Sequence, residues 1–328
     1  MLTISRFYKY YAGLALAAFL LASCKKQSVH LTFELIQTPV SSNINKSYWQ
    51  SHNNGFICGG KRGESGFIYN TIDGGKNWNN LLETDGLSLY DIKFISDSIA
   101  YCCGENMCLY KSIDKGITWN KMDLTTHFDQ FYNGVLRQII LNKNSFIIVG
   151  GKNDNIGIIL TFHNMKINDG FRGFSNELRS GFSFSDSNYV SCGYGTAYKS
   201  KNDLSDYYPL KLSDDFFTDC ITINSSVGIA CGYNGGVYKV TSPDYKTEKL
   251  YEANTVLKKR LNFNSLFFKN ENEGWVVGNN SELLKTSDGH SFQELETSEK
   301  SNFLSIVSNL NNELIISTSD GKLLRFSN

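Results

Sequence analysis

The chain has 328 residues, of which 41% are hydrophobic, 13% aromatic and 20% charged. This apolar content is enough to bury a large core, so the composition excludes an intrinsically disordered chain. The 32 basic residues balance the 32 acidic ones, which disfavours a nucleic-acid partner, because nucleic-acid binders usually carry a basic surface. Eight cysteines are too few for a small secreted module held together by disulfides.

The N-terminal segment has the pattern of a bacterial signal peptide. Arg6 and Lys9 precede an apolar run over residues 12–22. This run is shorter than the about 20 apolar residues of a membrane-spanning helix, but it has the length of a signal-peptide core. Its end, Leu-Ala-Ser-Cys at residues 21–24, resembles the lipoprotein box, in which the cysteine becomes the lipidated first residue of the mature chain. The alternative is an ordinary signal peptide followed by a chance cysteine.

Lipid anchoring determines the expected organisation of the N-terminus and the expected location. We expect residues 1–23 to be the signal peptide, Cys24 to carry the lipid and residues 24–29 to be a tether. Acyl chains hold a protein on a membrane without a further apolar anchor, and none follows Cys24. By resemblance to lipoprotein sorting signals, lysine rather than aspartate at position 25 argues against retention at the inner membrane. The absence of an acidic run after it argues against export to the cell surface. We therefore predict the periplasmic side of the outer membrane in a bacterial envelope.

The rest of the chain repeats with a period of about 44 residues, which indicates a repeat architecture. One marker is a segment similar to Tyr-Lys-Ser-Ile-Asp, which recurs near residues 69, 110, 198 and 284. A second marker is a small or β-branched residue about a dozen positions earlier, usually followed by glycine. The seven residues at this second position, which we call the slot, are Cys58, Cys103, Val149, Cys192, Cys231, Val277 and Ser317.

Each unit contains four short strands separated by turn residues. In the second unit, alternating or apolar segments cover residues 89–94, 99–103 and 107–112, and a fourth strand follows the turn that ends at Trp119. A period of 40–45 residues with four strands is typical of a β-propeller blade. We therefore predict an all-β fold, a seven-bladed β-propeller of four-stranded blades, as a single domain over residues 30–328.

The two ends of the repeat region complement each other. The seventh unit stops after its third strand, at residues 323–326, whereas residues 30–38 form a strand-like segment without a unit of its own. If that segment supplies the missing fourth strand, no unpaired edge remains between the first and last blades. We therefore predict that the N-terminal strand closes the ring.

Three turns resemble the Asp-box, also called the bacterial neuraminidase repeat, with the pattern Ser/Thr-x-Asp-x-Gly-x-Thr-Trp; a fourth copy at residues 200–207 is degenerate. In such a turn an Asp side chain accepts backbone N–H bonds, and glycine supplies a conformation that other residues avoid. We therefore interpret the motif as structural rather than as a catalytic or metal site. The matching residues are Thr71, Asp73, Gly75, Trp78, Ser112, Asp114, Gly116, Trp119, Thr286, Asp288 and Phe292.

With these turns, the mature chain is most similar to the propellers named for a photosystem II assembly and stability factor. The first, second and sixth units carry most of this resemblance. It implies a non-catalytic scaffold that binds another polypeptide, in this location an envelope protein. The photosystem partner itself does not transfer to a lipoprotein, since a shared fold does not fix function.

The alternative is a glycan-binding protein or a sialidase-like glycoside hydrolase, because sialidases also combine a propeller with Asp-boxes. Their chemistry needs an arginine cluster for the substrate carboxylate, a tyrosine nucleophile and an acid. After the signal peptide the chain has only six arginines, and its five histidines are scattered without the spacing of metal ligands. We therefore predict that the protein is not an enzyme and binds no cofactor or metal.

Twelve residues before each slot, a polar residue stands at the start of the predicted innermost strand. We expect this column to face the central channel, where water tolerates polar groups, and Lys46, Asp91, Arg137 and Asp219 are candidates for a partner-binding channel mouth. Because exposed charges contribute little to folding, we expect these four to affect recognition more than stability. The slot cysteines are interpreted as small buried hydrophobic residues. The column is Lys46, Asp91, Arg137, Ser180, Asp219, Ser265 and Ser305.

Overall fold

Seven four-stranded antiparallel sheets, arranged around a central channel, make up the protein. The computed structural model describes residues 31–124, 133–142, 145–152, 156–164, 166–185, 188–200, 206–253 and 261–327. The predicted signal peptide, Cys24 and the tether lie outside these residues. Within them, no helix is both long and apolar enough to cross a membrane. The prediction of an all-β, seven-bladed propeller is confirmed.

The first three blades follow one another along the chain. Blade 1 consists of β2 (Ile44–Trp49), β3 (Gly55–Lys61), β4 (Ser65–Thr71) and β5 (Asn79–Asp85). Blade 2 consists of β6 (Leu89–Phe94), β7 (Ala100–Gly104), β8 (Leu109–Ser112) and β9 (Asn120–Lys121). Blade 3 consists of β10 (Val135–Leu141), β11 (Ser145–Lys152), β12 (Ile156–His163) and β13 (Lys166–Phe174).

The remaining blades repeat this order until the last. Blade 4 consists of β14 (Leu178–Ser185), β15 (Asn188–Gly193), β16 (Ala197–Ser200) and β17 (Tyr207–Leu210). Blade 5 consists of β18 (Phe217–Thr222), β19 (Val227–Gly232), β20 (Gly236–Thr241) and β21 (Lys246–Glu252). Blade 6 consists of β22 (Phe263–Phe268), β23 (Gly274–Gly278), β24 (Leu283–Thr286) and β25 (Phe292–Glu294), with a short 3-10 turn at Asn279–Ser281. Blade 7 consists of β26 (Phe303–Ser308), β27 (Glu313–Thr318), β28 (Lys322–Ser327) and β1 (Glu34–Gln37).

The N-terminal strand closes the ring as predicted. β1 pairs antiparallel with β28, with Glu34 opposite Arg325 and Gln37 opposite Lys322. Ile36 of β1 is 4% exposed and packs with residues of blades 7 and 1. β1 therefore completes the sheet of blade 7, blades 7 and 1 share one apolar cluster, and the ring has no unpaired edge between its first and last blades.

The antiparallel blades give the propeller two distinct faces. The first strand of each blade is innermost, and these seven strands pack against their neighbours around the channel. The turns after the first and third strands lie on one side, which we call the turn face. The turns after the second strands and the connections between blades lie on the other side, which we call the mouth face.

The apolar core lies between neighbouring blades. One cluster, for example, joins Phe56 and Cys58 of blade 1 to Ile92 and Cys102 of blade 2. All seven cysteines in the described part of the chain are free and buried. The four of them in the slot are therefore buried as expected for small hydrophobic residues.

Cys220 and Cys231 lie on the two strands of one hairpin but on opposite faces of blade 5. Cys220 pairs with Ala230, whereas Cys231 pairs with Asp219. Cys220 therefore packs toward blade 4 and Cys231 toward blade 6. These two thiols therefore do not face each other.

Candidate functional site

Each innermost strand carries a β-bulge near its start. A bulge places two residues opposite one on the partner strand, so each blade turns two consecutive side chains toward the channel. The bulged residues, nearer the mouth face, form an outer ring of Asn45, Tyr90, Arg137, Arg179, Thr218, Asn264 and Leu304. The residues that follow them pair with the slot and form an inner ring of Lys46, Asp91, Gln138, Ser180, Asp219, Ser265 and Ser305.

The inner ring matches the predicted polar column in every blade except blade 3. The column included Arg137 because it lies twelve residues before Val149, but Val149 pairs with Gln138. The turn after the first strand is one residue shorter in blade 3 than in blade 2: four residues separate Leu141 from its partner Phe146, against five in blade 2. Arg137 therefore belongs to the outer ring.

Both rings line a cavity of about 220 Å³ at the mouth of the channel. All four predicted mouth residues, Lys46, Asp91, Arg137 and Asp219, are part of its lining, and among the ring residues only Ser180 is not. The sequence thus located the cavity, while a role of these residues in binding stays a prediction.

Polar side chains from three blades meet across the channel at the level of the inner ring. The Lys46 ammonium lies 4.0 Å from Asp219 Oδ2, and Gln138 Nε2 donates to Asp219 Oδ1 at 2.8 Å. Burial works against the charge on Lys46, but the nearby Asp219 and Asp91 carboxylates outweigh it, and the pKa of Lys46 is raised. This contact joins blades 1, 3 and 5 at the level of the inner ring.

The two inner-ring carboxylates also join neighbouring blades. Asp91 Oδ2 accepts from the backbone N–H of Ile139 at 2.8 Å, and Asp219 Oδ2 accepts from Ser265 Oγ at 2.6 Å. Asp91 is 1% exposed and Asp219 is 7% exposed, and burial raises the pKa of Asp91. The expectation that they affect recognition rather than stability therefore needs correction, because both are paired groups between blades.

Five of the seven outer-ring residues form two groups. In blades 1, 5 and 6 they bond to the next blade: Asn45 donates to the carbonyl of Leu89 at 2.6 Å, and Thr218 and Asn264 make the corresponding bonds at 2.8 Å. In blades 3 and 4 they are arginines. Two neighbouring blades therefore present cations at the position where blades 1, 5 and 6 present braces.

The two arginines share one buried carboxylate. Arg137 Nε donates to Glu177 Oε1 at 2.6 Å, and Arg179 Nε lies 3.0 Å from the same oxygen. The Arg137 guanidinium stacks over the Tyr90 ring, 4.6 Å from its centroid, and Arg179 stacks over Tyr194 at 4.9 Å. Since the outer ring contains no carboxylate of its own, the rim of the mouth is cationic and partly aromatic.

Sequence reasoning missed Arg179 and Glu177. Arg179 directly precedes Ser180, a member of the predicted column, so the residue before each column position was the signal that could have found it. A count of the period does not reveal this offset, because the extra residue of the bulge is present in every blade and leaves the period unchanged.

The three predicted Asp-box turns connect third and fourth strands on the turn face. In the first, Thr71 Oγ1 accepts from the N–H of Gly75 at 2.9 Å and Asp73 Oδ1 accepts from that of Asn77 at 2.9 Å. Ser112 and Asp114 repeat this arrangement, and the third turn differs because Asp288 accepts from residues two and three positions on. A side-chain hydrogen bond from Asn77 Nδ2, together with the backbone bond, lowers the pKa of Asp73 to about 2. A side-chain hydrogen bond from Thr118 Oγ1 and the backbone bond lower the pKa of Asp114 to about 2.

The aromatic residues of these turns pack differently. Trp119 Nε1 donates to the carbonyl of Gly116 within its own turn at 2.9 Å, as the motif implies. Trp78 Nε1 instead donates to Gln37 of β1 at 3.2 Å. No cluster of three or more His, Cys, Asp or Glu side chains suited to a metal ion occurs among the described residues.

Comparison with solved structures supports the propeller assignment. The chain is similar to YCF48 bound to a D1 peptide, with 18% identity and a TM-score of 0.70 over 93% of this chain and 99% of that one. It is also similar to YCF48 from Cyanidioschyzon merolae, with 14% identity and a TM-score of 0.65 over 90% and 99%. The WD40 β-propeller domain of Doa1 matches with 12% identity and a TM-score of 0.67 over 90% and 97%.

At these identities the likeness shows the fold. No family model and no curated protein matches the sequence. The propeller resembles that of the photosystem II assembly factor, as the sequence predicted, whereas the Asp-box and lipoprotein assignments stay predictions.

Proposed function

We propose that the protein is a non-catalytic envelope scaffold that binds a segment of another envelope protein at the mouth of its channel. The observation that carries this proposal is the pair of outer-ring arginines, Arg137 and Arg179, on the rim of the cavity. In three other blades the same position carries Asn or Thr and braces the propeller, so a blade does not require arginine there. In blades 3 and 4 the two arginines also pair with the buried Glu177, so the unfolding curve of each variant is measured alongside binding.

The chemistry of the rim favours a partner that carries carboxylates. Guanidinium groups bind carboxylates through paired N–H donors, and Tyr90 beside Arg137 offers a flat apolar surface to the same segment. A cavity of about 220 Å³ is smaller than the roughly 300–1,000 Å³ of typical small-molecule pockets. It can take one acidic side chain or a chain terminus, the kind of group that the two arginines recognise.

The comparison adds independent support. One similar propeller, YCF48, has a structure bound to a D1 peptide, which supports a polypeptide as the kind of partner. We propose a different partner for this chain, an envelope protein, because of the predicted lipid anchor at Cys24.

The test is capture of the partner from the native envelope. Wild-type protein and the R137Q/R179Q variant would be crosslinked in the envelope of the host and purified, and the captured proteins compared. We expect one or more envelope proteins to be captured by the wild type and at least about tenfold less by the variant, since charged hydrogen bonds contribute about 1.5–3 kcal/mol each.

Arg62→Gln is the matched control. Arg62 lies in the turn after β3 on the same face, its side chain is 75% exposed and it pairs with Glu105 at 3.4 Å, but it does not line the cavity. This variant should capture the partner as the wild type does. Equal capture by R137Q/R179Q, with an unchanged unfolding curve, contradicts the proposed site, and turnover of a fluorogenic sialoside contradicts the non-catalytic role.

A further inference from the structure

The turn face carries an unexpected group of exposed apolar side chains. Among the described residues, the four most exposed large hydrophobic residues are Leu310 at 82%, Ile72 at 69%, Ile113 at 67% and Ile117 at 62%. Each lies in a turn on this face, and together they occupy three consecutive blades, 7, 1 and 2. Exposed apolar groups of this kind mark interaction surfaces. We call these four residues the apolar turn patch.

The fold does not require these isoleucines. Ile72 and Ile113 stand between the hydroxyl residue and the Asp of their turns, whose hydrogen bonds involve the flanking residues. In the third turn of this kind the same position is Ser287, which is exposed. A polar residue therefore satisfies the turn, and isoleucine in blades 1 and 2 has another role.

Hydrogen bonds hold the turns of the patch in place. The N–H of His52 donates to Asn311 Oδ1 at 3.1 Å, which joins the first turns of blades 1 and 7. The N–H of Gly74 donates to the carbonyl of Asn53 at 3.0 Å, and Arg325 Nη2 donates to that of His52 at 3.0 Å. The exposed side chains therefore project from a fixed platform.

The chain enters the propeller at this same face. β1 begins beside the end of β28 that borders the turn face, and the Cα of Gly75 lies against the Ile36 side chain. Cys24 precedes Leu31, the first described residue, by seven positions. Seven extended residues reach at most about 25 Å, so a lipid on Cys24 would keep this face near the bilayer.

Blades 5 and 6 do not share this character. On the turn face, blades 5 and 6 expose polar and acidic residues, including Asn224, Asp244, Asn270 and Asp288. Beside the isoleucines, Lys76 and Lys115 are exposed, whereas Asp73 and Asp114 accept hydrogen bonds within their turns. Apolar tips with adjacent lysines suit the interface of a membrane with anionic headgroups.

We propose that the apolar turn patch rests on the lipid bilayer that holds the anchor, with Lys76 and Lys115 at its headgroups. The mouth face then points away from the membrane, toward the partner. This inference depends on the proposed lipid anchor but not on the identity of the partner.

The test measures which face lies against the bilayer. The lipidated protein would be reconstituted into vesicles of phosphatidylethanolamine and phosphatidylglycerol, with Ile72→Cys as the site of an environment-sensitive fluorophore. The seven described cysteines are buried, so the label goes to the introduced thiol. Brominated acyl chains should quench this label at least about three times as strongly as a label at Tyr233→Cys, because apolar turn residues insert at the acyl boundary. Tyr233 is also exposed, at 44%, but lies in the turn after β19 on the mouth face.

A second comparison separates the patch from the anchor. Adding I113S, I117S and L310S to the Ile72→Cys protein should lower the quenching by at least about half, since these side chains supply the apolar contact. Equal quenching at positions 72 and 233, quenching unaffected by the serine substitutions, or protein recovered without acyl chains on Cys24 overturns the proposal. R137Q/R179Q should leave the quenching unchanged, so a failure at the channel mouth is distinguishable from a failure at the membrane.

Discussion

At the scale of single residues, one position of the propeller serves two purposes. Asn45, Thr218 and Asn264 of the outer ring brace the next blade, whereas Arg137 and Arg179 at equivalent positions share a carboxylate and border the cavity. Fixed spacing from the slot was enough to predict the inner ring in six blades. The prediction did not include Arg179, because this residue faces the channel only through a bulge. Neither the spacing nor the composition of the sequence indicates a bulge.

Asp219 should be a stability residue. Replacing it by Ala removes the hydrogen bonds from Gln138 and Ser265 and leaves the buried Lys46 ammonium without its nearest carboxylate. Breaking a buried ion pair from one side typically costs about 3–5 kcal/mol, so the free energy of unfolding should fall by roughly 3 kcal/mol in a denaturant titration.

Asp214→Ala, in the connection that leads into β18, provides the comparison. The Asp214 side chain is 93% exposed and pairs with Lys211 at 3.6 Å, so its loss should change the free energy of unfolding by less than about 1 kcal/mol. An equal effect of the two substitutions would show that the inner-ring contact does not stabilise the fold.

At the scale of elements, alternation and turn residues predicted most of the strands. The predicted segment 89–94 is β6 itself, and the strand-like segment 30–38 contains β1. Turn length was the weak point, because one residue less after β10 moved Arg137 out of the inner ring. Turn lengths depend on local backbone geometry that an average repeat period does not contain.

β1 should contribute to stability through its inward side chain. Ile36 is 4% exposed between blades 7 and 1, and large-to-small changes at such sites cost about 2–5 kcal/mol. We expect Ile36→Ala to lower the free energy of unfolding by about 3 kcal/mol. Leu35→Ala, at the neighbouring position with 43% exposure, should lower it by less than about 1 kcal/mol. A loss for Ile36→Ala as small as that for Leu35→Ala would mean that β1 does not hold the ring closed.

At the scale of the whole molecule, the two faces have different compositions. The mouth face carries the cationic rim, and the turn face carries exposed apolar side chains where the chain enters. The sequence predicted the ring and its closure, but the faces arise only when turns from different blades are brought side by side. Residues as far apart in the chain as Ile72 and Leu310 come to lie on the same face in this way, and no local pattern in the sequence contains that information.

The proposed location has a direct test at this scale. Cys24→Ala removes the acceptor for the lipid, and acyl chains supply most of the membrane affinity of a protein without a spanning helix. We expect the variant to leave the membrane fraction of the host, while wild-type protein stays in the outer-membrane fraction after sedimentation. A variant that remains with membranes to the same extent would contradict lipid anchoring at this residue.

The strand that completes the last blade also sets the order of assembly. Glu34 and Arg325 are 291 positions apart in the chain, so β1 joins its sheet only through a contact between the two ends of the propeller. Blades 1 to 6 can form from local hairpins, whereas β1 needs β28 from the far end of the chain. Contacts of such long sequence separation are slow to form. We therefore expect ring closure to come late in folding, and a chain interrupted before β28 would keep an open edge at both ends.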